Sequence, residues 1–137
     1  MIKSETLHPK GVGVRLLIFS GRADPTWELE ATEISELQQR LSNLLGIQAT
    51  HAPPPGGLGY RGFLVSSDRP LDKLPQEFSV FRSTVTITTG RQTQHWRDQG
   101  LELWFLQQAV SLGYRDVLEK FAGLDVEAIL RAPSQGP

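Results

Sequence analysis

Residues 12–19, VGVRLLIF, concentrate β-branched and large apolar side chains at both parities. Such a run reads as a strand buried on both faces, hence central in its sheet. The period then changes. Ile34, Leu37, Leu41, Leu44 and Leu45 fall on one stripe of a 3.6-residue helix. Thr32 is the expected N-cap, Glu33 and Glu36 suit the positive end of the helix dipole, and Gly46 is the expected stop. Residues 46–59, GIQATHAPPPGGLG, hold three prolines and four glycines and predict a surface loop.

YRGFLVSS, from Tyr60, predicts a short second strand ended by Asp68, Arg69 and Pro70. A strand, a helix and a second strand allow a right-handed parallel crossover. Next comes an alternating segment that predicts a hairpin over 80–97, with its turn at Thr89-Gly90-Arg91. Phe81, Val85 and Ile87 should face the core, and Thr84, Thr86 and Thr88 should face water. Asp98 is the expected cap of a helix whose Leu101, Trp104, Phe105 and Leu112 share a face, closed by Gly113. A shorter helix with Val117, Leu118 and Phe121 ends at Gly123, and Asp125 caps a last piece with Ile129 and Leu130. The order β-α-β-β-β-α-α predicts an α+β two-layer sandwich: a small mixed sheet of about four strands with helices packed on it. Residues 1–11 read as a loose lead-in, 12–131 as a single globular domain and 132–137 as a flexible tail.

Composition narrows the class. With 137 residues, 39% of them apolar, the chain can bury a core as one domain. A net charge of −1 creates no global attraction to nucleic acid or to an acidic membrane. The absence of cysteine excludes disulfides, thiolate metal sites and thiol nucleophiles, and it fits a reducing compartment. The segment MIKSETLHPKG has no apolar core of a signal peptide, and no apolar run approaches a membrane span. The expected location is cytoplasmic.

Catalytic signatures are missing. Neither a phosphate-binding loop nor a dinucleotide fingerprint occurs, and Ser20 lacks the flanking glycines of a nucleophile elbow. Ser20, Asp24 and His95 have no spacing that favours a triad. His8, His51 and His95 are dispersed. The tightest set, His95, Asp98 and Glu102, reads as an exposed histidine, a cap and a first-turn acid. No metal or cofactor is expected. Arg82, Arg91 and Arg97 make the hairpin basic, yet three charges release few counterions, so nucleic acid is disfavoured.

One segment carries a positive signal. The loop from Ser20 to Ala31, SGRADPTWELEA, spans twelve residues where such connections usually take about two to six. Long loops at strand ends are common binding sites. Arg22 offers a planar donor fork for a carboxylate or phosphate, and Trp27 offers a large amphipathic face. Asp24 should turn back to the loop's own amides, held by Pro25. If the second strand runs antiparallel to the first, Tyr60 and Arg61 join Arg22; if parallel, Ser66 and Ser67 do. The candidate binding residues are therefore Arg22, Asp24, Trp27, Tyr60 and Arg61. The expected function is a small non-enzymatic interaction or accessory module, binding a protein partner or a small anionic ligand through the 20–31 loop. The alternatives are a small enzyme acting on an anionic metabolite and a nucleic-acid binder using the hairpin. An enclosed pocket where Arg22, Asp24 and Tyr60 converge would mark the enzyme.

Overall fold

A computed structural model describes residues 11–19, 21–44, 59–68 and 74–131. The lead-in before Gly11, Ser20, the Pro/Gly-rich loop up to residue 58 and the tail 132–137 lie outside the described residues, as do His8 and His51. The elements are β1 (Val12–Leu16), β2 (Thr26–Glu28), α1 (Ala31–Leu44), β3 (Phe63–Ser67), β4 (Glu77–Phe81), β5 (Thr84–Thr89), β6 (Gln92–Arg97), α2 (Leu101–Ser111), α3 (Arg115–Ala122) and α4 (Val126–Arg131). The strands form one six-stranded sheet in the order β2-β1-β3-β4-β5-β6, antiparallel at every junction.

The α+β class stands, but the sheet is neither mixed nor four-stranded. Two short strands were hidden in the pattern. β2 lies inside the segment expected as loop, pairing Trp27 with Val14. β4 and β5 read as one strand in the sequence. Arg82 and Ser83, at φ 51° and 63°, turn the chain between them. Both central residues have the positive φ of a type I′ hairpin turn, without the Asn-Gly signature that usually announces it. The turn also breaks the expected alternation. Phe81 sits across from Thr84 instead of in line with Val85, and Thr84 is buried beside it. Val85 and Ile87 face the core as expected, and Thr88 is exposed.

The parallel crossover is corrected too. β2 carries the chain back along β1, so that Leu29 N–H bonds Val12 O before α1 begins. α1 therefore leaves from the opposite end of β1, and β3 re-enters beside Leu16, antiparallel to β1. The crossover runs from β2 to β3, over the strand between them. β1 is consequently one strand in from the edge, and it is buried on one face only. Val12, Val14, Leu16 and Ile18 are buried, whereas Arg15 is exposed.

Two rows of side chains build the inner face: Leu16–Phe63–Val80–Val85–Trp96 and Trp27–Val14–Val65–Phe78–Ile87. They meet Leu37 and Leu41 from α1, Leu101, Trp104 and Phe105 from α2, Leu118 from α3 and Ile129 from α4. Burial of this kind contributes about 1.5–3 kcal/mol per large side chain. The reverse face carries Thr26, Arg15, Leu64, Ser79, Thr86 and His95 in one row. Three residues expected on buried stripes are exposed: Leu112, Phe121 and Leu130. Each stands at the C-terminal end of its helix. No helix of the described residues is long and apolar enough to cross a membrane.

Helix starts follow local chemistry. α1 begins one residue before Thr32. Glu30 O accepts from Ile34 N–H, and Glu33 reaches back to accept the Glu30 N–H at 2.7 Å, half of a capping box. Asp98 accepts from the amides of Leu101 and Glu102 at 2.7 and 2.9 Å, across Gly100 at φ 103°.

Candidate functional site

The β1–β2 connection is built around Phe19. Its amide donates to Asp24 Oδ1 at 2.8 Å, and the same oxygen accepts from Ile18 N–H at 3.1 Å. Its carbonyl accepts from Arg61 Nη2 at 2.8 Å, while Arg61 Nε donates to Gly59 O at 3.1 Å. Its ring lies under the Arg22 guanidinium, 3.8 Å from Cζ to centroid, and meets Phe121 edge-on at 5.1 Å. Arg22 Cζ is 5.6 Å from the Phe121 centroid. Every polar backbone group of Phe19 is thus occupied, and its ring is clamped between α3 and Arg22.

Arg22 itself is exposed, and no carboxylate pairs with it among the described residues. Asp24 turns to the backbone and leaves the guanidinium alone. Antiparallel pairing of β1 with β3 brings Arg61 to this end of the sheet, where Arg61 N–H bonds Leu17 O. Arg22, Asp24 and Arg61 therefore share one corner.

Trp27 and Tyr60 belong elsewhere. Trp27 is strand, half-buried, with its indole N–H donating to Gln108 Oε1 at 2.9 Å. It stacks on Tyr114 at 5.9 Å and meets Phe63 edge-on at 6.2 Å. Tyr60 packs against Phe63 and Phe81, and its hydroxyl donates to Glu102 Oε2. Burial first, then the Glu102 carboxylate, pushes its hydroxyl well above the usual tyrosine range. Arg22, Asp24 and Tyr60 do not converge. A cleft of about 360 Å³ lies instead between β2, α1 and α2, lined by Trp27, Glu30, Glu33, Trp104 and Gln108 among others.

The polar residues named for other chemistry are likewise dispersed. His95 Nδ1 contacts Thr86 Oγ1 at 3.0 Å on the reverse face, while Asp98 and Glu102 serve the start of α2 and Tyr60. Among the described residues no group of three or more acids and histidines could hold a metal ion.

Sequence reasoning missed Phe19 and Phe121 as members of the corner. Phe19 read as the last residue of a buried strand, and Phe121 as part of a buried stripe. Their meeting depends on how α3 docks, which leaves no local signal. No family model matches the chain, and no curated protein or solved structure is significantly similar to it.

Proposed function

We propose that the chain is a small non-enzymatic interaction module that binds an acidic group of a partner protein or small ligand through Arg22. The observation that carries this reading is the guanidinium of Arg22, exposed, unpaired by any carboxylate of the described residues and set over the Phe19 ring with Cζ 3.8 Å from its centroid. A cation held over a ring in this way is supported by the ring while its N–H donors remain for a ligand, and bidentate carboxylate recognition uses those donors. Because Phe19 is already fixed by Asp24 and Arg61, little ordering remains to oppose binding. The enzyme reading has less support, since the Asp24 carboxylate is engaged by amides and the Tyr60 hydroxyl by Glu102.

The test uses wild-type protein and Arg22→Ala as paired baits in lysate of the parent cell, with proteins retained on each quantified by mass spectrometry. A partner held by the wild type and lost from the variant is the expected result, with both baits folded by circular dichroism. Identical retention by the two baits would overturn the reading.

A further inference from the structure

Beside the exposed guanidinium stands an exposed ring. Phe121 is 48% accessible, far more than a core aromatic, although it touches both Phe19 and Arg22. Its backbone is pressed close to the loop that bears Arg61: a side chain on Gly59 would approach Phe121 O to 3.2 Å. The corner therefore presents a cation and an apolar surface side by side on a braced support. Cation charge alone would suit any anion. Two features narrow the choice. Arg61, the other described cation of this corner, is half-buried and commits Nε and Nη2 to carbonyls, so Arg22 is the more open of the two guanidinium groups. The planar fork pairs with a carboxylate or a phosphate alike, but the one positive charge of Arg22 neutralises a carboxylate fully and a doubly charged phosphate only by half. The apolar ring next to it rewards a ligand that carries hydrocarbon beside its acid.

Resting on the reading of Arg22 as the anion contact, we infer that the natural ligand is a protein segment presenting an acidic residue flanked by an apolar one. Its carboxylate takes the Arg22 fork and its apolar side chain covers Phe121. Short soluble anions lack the second contact and bind more loosely.

The experiment titrates isotope-labelled full chain with sodium acetate, inorganic phosphate, N-acetyl-Leu-Asp-Leu-amide and the Asn version of that peptide, following the Arg22 Nε–H and Phe121 ring resonances. The Asp peptide should bind roughly tenfold tighter than acetate, as expected when a leucine side chain is partly covered. The Asn peptide should lose that binding. Phe121→Ala should bring the peptide down to the acetate level, and Arg22→Gln, which keeps a polar side chain but removes the cation, should remove both. Should Phe121→Ala perturb the fold, Phe121→Leu supplies the check, since it must retain most of the peptide affinity. Equal affinity for peptide and acetate overturns this inference and leaves the Arg22 reading standing, and tighter binding of phosphate overturns the carboxylate assignment in the same way. No response of the Arg22 resonance to any of the four probes overturns both.

Discussion

Alanine at Gly62 and alanine at Gly21 differ in one physical respect, and that difference measures how tightly the sheet closes behind the candidate site. Both glycines hold positive φ, +90° at Gly62 and +86° at Gly21. For an L-residue that conformation costs about 1–2 kcal/mol. Around Gly21 a new Cβ would meet nothing within 4 Å. At Gly62 it would lie 2.1 Å from Val80 O and 2.8 Å from Phe81 Cβ. Gly62 cannot retreat, because its carbonyl accepts the Leu17 N–H at 2.9 Å on the other side. The β3 or β4 backbone must move by roughly an ångström, a form of overpacking that costs about 1–3 kcal/mol or more.

Gly62→Ala should therefore lose about 2–5 kcal/mol, the conformational and overpacking costs together, and Gly21→Ala about 1–2 kcal/mol. Urea unfolding followed by far-ultraviolet circular dichroism gives both values as shifts of midpoint at constant slope. Subtracting one from the other cancels the backbone-conformation cost and isolates the steric one. Equal losses at the two positions would refute the reasoning, because they would mean that β4 does not press on Gly62.

Leu41, fully buried from α1, should cost about 2–5 kcal/mol on truncation to alanine. Because the core draws on both halves of the chain, dichroism and tryptophan fluorescence should report one coincident transition in that variant and in the wild type. Tyr60 sets a pH dependence. In the unfolded chain its hydroxyl ionises near pH 10, while in the fold it stays neutral to higher pH, so stability is intact below about pH 10 and falls above it. The slope approaches about 1.4 kcal/mol per pH unit for this group, and Tyr60→Phe should remove that component from urea titrations at pH 9–11.5.

Local patterns carried much of the fold. The stripe of Ile34, Leu37 and Leu41 marks α1, and Asp24, Asp98 and Asp125 each accept backbone amides close by in sequence. These devices depend on neighbours within six residues, which a sequence displays. Strand number and direction were lost because they rest on non-local pairing. The turn at Arg82-Ser83 has no compositional mark, and β2 is three residues long beneath a proline and a tryptophan that resemble loop. The site was legible by half. Arg22 and Arg61 do share a corner, whereas Trp27 was separated from them by a contact 81 residues away, its indole on Gln108. Phe121 escaped notice for the opposite reason. Its spacing promised burial, but Gly123 ends α3 with a left-handed turn while that ring is still at the edge.

The same corner admits a structural role for Arg22, and magnitudes separate the two. An exposed guanidinium set over a ring, as Arg22 is over the half-buried Phe19, stabilises a fold by about 0.5–1 kcal/mol. The brace beneath it is independent of Arg22, since Asp24 and Arg61 hold the Phe19 backbone by three hydrogen bonds to backbone groups of Ile18 and Phe19. Each such bond to a charged group is worth about 1.5–3 kcal/mol. Arg22→Ala should thus lower stability by no more than about 1 kcal/mol, and Asp24→Ala by clearly more, because it strands two amides. If urea midpoints gave the reverse order, Arg22 would be the keystone of the loop, and its exposed edge would need no ligand to explain it. With the order as expected, the loop keeps its shape without Arg22, and the guanidinium is a group the fold displays more than one it depends on.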